Sequence, residues 1–226
     1  MNAVLQLKAE LLEQSRRPYL ARGCAVARCP TCALVPKLCL CPHRPNLKSR
    51  VEFGLLMHPN EPYKPSNTGK LVADVLPATR AWAWHRTEPP QALLDWLDDN
   101  SLIVFPMDYV PPERQQPELP AGPVKLLLLD ATWQQARKML RTSRYLDGLP
   151  VTGISDAGLS QYRLRNQYKD NHLCTAEVAA LMLDKAGEAA NARALECWFQ
   201  AFSGHYLAGK LQRPPDPALV ESLKGK

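Results

Sequence analysis

VKLLLLDATWQQARKM, residues 124–139, decides the fold. Its first six residues form an apolar run broken only by Lys125, the composition of a strand covered on both faces. Asp130 ends that run, and ATWQQARKMLRTSRYL (131–146) reads as a helix. A doubly covered strand passing straight into a helix is one unit of an α/β sheet.

The units on either side repeat the pattern. Upstream, VEFGLLMH (51–58) reads as a strand, HPNEPYKPSNTGK (58–70) as a loop, and TGKLVADVL (68–76) as a helix entered through a Ser/Asn/Thr cap. Trp82 and Trp84 alternate between Arg80 and Arg86, Pro90–Asp98 is helical, and SLIVFP (101–106) is a buried strand stopped by proline. VPPERQQPELPAGP (110–123) is a loop. Downstream, VTGIS (151–155) is a further strand and CTAEVAALMLDKAG (174–187) a helix ending at Gly187. A last helix from Ala192 to about Tyr206 presents Leu195, Trp198, Phe199 and Phe202, and the Pro-rich end is expected to be a loosely held tail. Alternating strands and helices imply an α/β fold with a mostly parallel sheet. At the N-terminus, Leu5, Ala9 and Leu12, with Leu11 beside them, predict a short amphipathic helix.

Composition removes several classes. The chain has 226 residues and is 46% hydrophobic, enough for a buried core and too much for a disordered polypeptide. It has no uninterrupted apolar run of the roughly 18 residues a membrane span needs, and no apolar leader, so a cytoplasmic protein is expected. The net charge of +6 is unevenly spread. Residues 1–50 carry nine Lys and Arg against Glu10 and Glu13, for +7, which leaves −1 on the rest. Such a segment suits a phosphate backbone, with Arg16, Arg17, Arg22 and Arg28 as candidate RNA contacts; an ordinary solvated surface is the alternative.

Between Arg22 and Pro45 there are too few large side chains for a core, yet Cys29, Cys32, Cys39 and Cys41 follow the spacing C-x2-C-x6-C-x-C. Two thiolate pairs on tight turns can close a tetrahedral Zn²⁺ site that supplies the missing folding energy. Structural disulfides are the alternative, and they are rare in a cytosolic chain. Cys24 and His43 are candidate replacements for one of the four. Cys174 and Cys197 lie in predicted helices, where an isolated Cys is ordinarily a small hydrophobe.

Ligands of an open α/β sheet bind outside the C-terminal ends of its strands. The loops there contain Ser66, Asn67, Thr68 and Gly69, which suit a carboxylate or phosphate at a helix N-terminus. They also contain Pro106, Leu129, and the turn Asp130, Thr132, Trp133. Asp130 is a candidate general base; the competing reading for both turns is ordinary helix capping. Arg137, Lys138, Arg141 and Arg144 form a basic stripe expected beside Asp130, and Arg163 and Arg165 in YRLR suit bidentate contacts to phosphate or carboxylate. The chain has no G-x-G-x-x-G loop, P-loop or G-x-S-x-G turn. His58, His85, His172 and His205 are scattered without metal-ligand spacing.

At DATW the chain resembles the DTW-domain family, named for a D-x-T-W motif matched by Asp130, Thr132 and Trp133. CPTCALVPKLCLC, HPNEPYKPSNTGKL, IVFP, LLLLDATWQQARKM, YRLR and CTAEVAA extend the likeness over nearly the whole chain. The resemblance implies a SPOUT-like domain with a C-terminal knot over residues 49–212, a Cys-rich zinc segment over 1–48 and a tail over 213–226. It also implies S-adenosylmethionine as co-substrate, tRNA as partner, and 3-(3-amino-3-carboxypropyl)uridine in the variable loop as product, made by a monomer. Asp130, Thr132 and Trp133 then belong to the active-site loop. Ser66, Asn67, Thr68, Pro106, Leu129, Arg163, Arg165, Cys174, Thr175 and Glu177 are the cofactor candidates, and Arg137, Lys138 and Arg141 join the RNA contacts. Two readings remain open beside it: RNA methylation on the same fold, and a non-enzymatic RNA-binding module.

Overall fold

In the computed structural model, described here over residues 1–15, 26–154 and 173–224, five strands form one wholly parallel sheet. They are β1 (Val51–Met57), β2 (Arg80–Ala83), β3 (Ser101–Val104), β4 (Val124–Asp130) and β5 (Val151–Thr152), in the spatial order β2-β1-β4-β3-β5. β1 and β4 lie at the centre, aligned from Val51 beside Val124 to Met57 beside Asp130. The helices are α1 (Ala3–Gln14), α2 (Gly69–Val75), α3 (Gln91–Trp96), α4 (Trp133–Thr142), α5 (Thr175–Lys185), α6 (Ala189–Leu211) and α7 (Ala218–Lys224).

The leucine run of β4 is covered on both faces. Leu126 and Leu128 join the core under α2, α5 and α6, whereas Leu127 and Leu129 join the core under α3 and α4. From β1 the chain passes to β2, and from β4 to β5 on the opposite side. The crevice between the C-terminal ends of these two central strands is therefore the topological switch point, where such sheets bind ligands.

Three expectations change. α1 buries Val4 and Leu7 with Leu11 packed against the core, while Leu12 is exposed. The rotation is set at Asn2, whose carbonyl caps Leu5 and whose amide donates to the buried Asp74 of α2 at 2.6 Å. β5 has only two residues, shorter than VTGIS. The Pro-rich end is not loose: α7 lies on α6, and Leu219 occupies the space that a Cβ on Gly204 would need. Among the described residues, no helix is long and apolar enough to cross a membrane.

Candidate active site

Asp130 joins three loops at the switch point. It is 3% exposed; Asn67 Nδ2 donates to Oδ2 at 2.7 Å and the Thr175 hydroxyl donates to Oδ1. Its backbone carbonyl accepts the His58 N–H at 3.0 Å, tying β4 to the loop after β1. Burial pushes the Asp130 carboxyl above its ordinary range, although the two hydrogen bonds oppose this; nearby Glu61 adds to it. An ionised carboxylate has about four acceptor sites, so two partners leave capacity for a proton.

Asn67 serves two functions through the two ends of its amide. Oδ1 accepts the Lys70 N–H at 2.9 Å and caps α2, while Nδ2 holds Asp130. Gly69 is required here, since a Cβ on it would lie 2.9 Å from Asp130 Oδ2. The start of α2 thus lies directly against the Asp130 carboxylate.

Beside these groups opens a cavity of about 1060 Å³. Its lining includes the apolar Val104, Leu128, Leu129, Ile154 and Val178 and the polar Glu61, Lys64, Ser66, Asn67 and Thr68. Pro106, Asp130, Trp133, Cys174 and Thr175 also line it. Burial, with Glu177 beside it, pushes the Cys174 thiol up to about 12, so it remains a neutral lining group.

Two expected site residues face elsewhere. The Thr132 hydroxyl and backbone N–H both donate to Gln135 Oε1, at 2.8 and 3.0 Å, which makes Thr132 the cap of α4. Glu177 is buried and accepts the Cys174 N–H at 2.7 Å, closing the first turn of α5. The basic stripe also departs from expectation: Arg137, Lys138 and Arg141 line a second cavity rather than the one beside Asp130. Arg28 turns inward, donating to the Ala33 carbonyl at 3.1 Å with its guanidinium over the Tyr206 ring. Arg16, Arg17, Arg22, Cys24, Arg163, Arg165 and His172 lie outside the described residues.

Sequence reasoning passed over Glu61 and Lys64. Glu61 is 7% exposed and accepts from Lys64 Nζ at 2.5 Å. Both belong to the loop that begins directly after β1, and the strand-end rule that singled out Ser66–Gly69 applies to its whole length.

The cysteine cluster forms a separate centre. Cys29, Cys32, Cys39 and Cys41 place their sulfurs within 4.8 Å of one another, and among the described residues no His, Asp or Glu joins them. The Cys29–Cys41 and Cys29–Cys39 separations are 3.6 Å and Cys32–Cys39 is 3.8 Å. A disulfide needs about 2.05 Å, which removes the disulfide reading. Four sulfurs about 2.3 Å from a central ion stand about 3.8 Å apart on a tetrahedron, so the four fit a tetrahedral metal. Although burial opposes ionisation, backbone N–H groups of Cys32 and Thr31 and the neighbouring thiols hold Cys29 down at about 6. Burial, followed by the Cys39 and Cys29 thiols, pushes Cys41 up, and burial raises Cys32 as well. Four thiols this close cannot all ionise alone, and a bound dication reverses that.

Taken together, the all-parallel sheet, the large switch-point cavity and the four-sulfur centre define an α/β protein with a cavity at its strand ends and a metal-fitting N-terminal segment. Within that class the chain belongs to the DTW-domain family, whose model matches residues 26–207. It is 29% identical over 167 residues to tRNA-uridine aminocarboxypropyltransferase 2 of Drosophila melanogaster, covering 69% of this chain and 65% of that protein. It is 26% identical over 163 residues to the protein of the same name from Mus musculus, covering 69% and 55%. The chain thus spans between about half and two thirds of the length of the curated relatives it matches. No solved structure matches it.

Proposed function

We propose that this chain transfers the 3-amino-3-carboxypropyl group of S-adenosylmethionine to N3 of a uridine in the variable loop of tRNA, releasing methylthioadenosine. The observation that carries the reading is the buried Asp130, held by Asn67 and Thr175 in the lining of the large cavity, in a chain whose matched relatives are named tRNA-uridine aminocarboxypropyltransferase 2. S-adenosylmethionine supplies an electrophilic γ-carbon and a neutral thioether leaving group. The cavity suits it in kind: apolar lining residues for the adenosine and polar ones for the amino-acid end.

Asp130 is the base. Its raised basicity helps it take the N3 proton, and the nitrogen lone pair then forms the new N–C bond as the C–S bond breaks and its electrons pass to sulfur. Which carbon reacts is a matter of alignment, so Glu61, Lys64, Ser66, Asn67 and Thr68 are assigned to hold the ammonium and carboxylate of the methionyl end. Trp133, which lines the cavity, is assigned to stack on a ring. Arg16, Arg17, Arg22, Arg137, Lys138 and Arg141 are assigned to RNA, and Arg163 and Arg165 to a carboxylate or phosphate.

The ion proposed for the cysteines is Zn²⁺, held by Cys29, Cys32, Cys39 and Cys41 as a structural centre. A SPOUT-like knot in residues 49–212, after a zinc segment over 1–48, is the proposed architecture, and the protein is proposed to act as a cytoplasmic monomer. The test is incubation with unmodified tRNA and labelled S-adenosylmethionine, followed by mass spectrometry of the nucleosides. The expected result is aminocarboxypropyluridine with equimolar methylthioadenosine. Methylated uridine would replace this reading with methyl transfer, and tRNA binding without either product would replace it with a binding module.

A further inference from the structure

The second cavity, of about 520 Å³, lies between α4 and the turn after β3 and shares Phe105 with the first. The partition between them is aromatic. The Phe105 and Trp133 rings are stacked, with centroids 5.1 Å apart and planes within 2°. Tyr109 meets both edge-on, at 5.6 and 5.4 Å. Trp133 is 37% exposed and lines the first cavity; Tyr109 is 46% exposed and lines the second. An aromatic surface is thus presented on each side of one wall. Phe105 is buried, but exposure of Trp133 and Tyr109 on this scale is poorly explained by core packing, since burial is what stabilises an aromatic cluster.

Charge defines the rest of the second cavity. Arg137 lies over the Tyr109 ring at 5.0 Å, and Lys138 and Arg141 stand along the same wall. Among the described residues none of the three is in an ion pair. Arg114 is otherwise engaged, donating to the carbonyls of Leu146 and Leu149, and Asp147 is the only acidic lining residue among the described residues. Guanidinium groups in no ion pair among the described residues, beside a half-exposed ring, are complementary to an aromatic ring carrying phosphate. A single-stranded nucleotide has that chemistry, and stacking platforms combined with basic walls are how proteins hold unpaired strands.

We propose that the second cavity is a subsite for the nucleotide adjoining the modified uridine, with its base against Tyr109 and its phosphate on Arg137 and Arg141. This rests on the tRNA reading. With one uracil on the Trp133 side of the wall and the neighbouring base on the Tyr109 side, the strand is splayed across Phe105. The wall then fixes which nucleotide enters the large cavity.

The test uses the full-length protein in three forms, Tyr109→Ala, Tyr109→Phe and Arg137→Ala/Arg141→Ala, with tRNA affinity measured at several salt concentrations and S-adenosylmethionine affinity measured separately. Tyr109→Ala is expected to weaken tRNA binding roughly 10-fold or more, the scale of one lost base–aromatic stack, and Tyr109→Phe to restore it. The double Arg variant is expected to weaken binding and to reduce the log–log salt slope by about 1 to 2, as one or two phosphate contacts are lost. Cofactor affinity stays within about twofold in each variant. The subsite is overturned if Tyr109→Ala binds tRNA within about twofold of the parent, or if it loses cofactor affinity equally, which assigns the cavity to the cofactor. It is also overturned if the parent protein captures acidic peptides through this face and not RNA. A parent that binds cofactor and no tRNA defeats the tRNA reading as a whole, whereas a parent that modifies tRNA equally well with and without Tyr109 defeats the subsite alone.

Discussion

The cysteine turn and the switch-point crevice are both polar regions held in fixed geometry, by opposite means. The turn, residues 29–41, contains no α-helix or β-strand, only two short 3-10 segments, and its four sulfurs lie within 4.8 Å of one another with, among the described residues, no His, Asp or Glu joining them. The crevice is built at the ends of a buried sheet, and its central anion is already satisfied by Asn67 and Thr175. The turn has the geometry to take an external ion, whereas the crevice is held by hydrogen bonds of its own. Lys70 connects them. Its Nζ donates to the Cys32 carbonyl at 3.0 Å and its backbone N–H to Asn67 Oδ1 at 2.9 Å, two bonds from Asp130.

The largest effect that separates the two regions is removal of the metal. A chelator, or Cys39→Ser, is expected to abolish stoichiometric metal binding and to remove hydrogen-exchange protection from residues 29–41, since structural zinc contributes on the order of 10 kcal/mol where it organises the fold. Loss should extend to the end of α6, where His205 Nδ1 bonds the Leu38 carbonyl at 3.0 Å and Gly209 packs on Leu38 and Val35. The amides of β1 and β4 should keep theirs. Simultaneous loss in β4 would show that the two regions are one cooperative unit, and no loss anywhere would show that the metal organises neither.

The contrast also explains what the sequence could reveal. β1 and β4 were legible because strands covered on both faces leave long apolar runs, and Cys29–Cys41 because four thiols in thirteen residues have few other uses. The rotation of α1 was not, since Leu5, Ala9 and Leu12 have the same helical spacing as Val4, Leu7 and Leu11, and the choice is made by Asn2 reaching Asp74. The proline-flanked α7 was hidden because prolines read as breakers, although a proline just before a helix favours its start; Asp216 Oδ1 caps it through the Ala218 N–H at 2.9 Å. Within the crevice, the residue types at the strand ends were readable. Their pairing was not: Asn67 and Thr175 are 63 and 45 residues from Asp130. The direction of the basic stripe depended on which side of α4 Phe105 and Tyr109 would occupy, a tertiary fact.

The second test bears on the crevice and separates chemistry from stability. Asp130→Asn is expected to lower the transfer rate about 10²- to 10⁴-fold, the usual contribution of a general base. It should not lower the melting temperature. The Asn can keep both partners if the Thr175 hydroxyl turns from donor to acceptor, and it removes a buried charge. Because burial raises this carboxyl in the folded state, the native protein binds the proton more tightly than the unfolded chain. Stability therefore falls as pH rises from the ordinary carboxylate value through the raised one, and Asp130→Asn should flatten that slope. Activity runs the other way, being lost as pH falls through the raised value. An acid limb at the ordinary carboxylate range, or full turnover by Asp130→Asn, would remove Asp130 as the base and leave it as the tie between loops.

The smallest expected effect concerns Thr132, which the family motif places beside Asp130 and the structure turns away from the cavity. Its hydroxyl and N–H share Gln135 Oε1, so its contribution is to the start of α4 and, through α4, to where Trp133 stands. Thr132→Val removes the cap and should cost about 1 kcal/mol of stability, with Thr132→Ser restoring it. Since Trp133 is the first residue of that helix, the same variant should weaken binding at the aromatic wall modestly while the transfer step at saturating substrate changes little. A Thr132→Val protein with undiminished melting temperature and a large fall in turnover would place the hydroxyl in the chemistry. The crevice would then have a reacting group that points into the cavity only when substrate is bound.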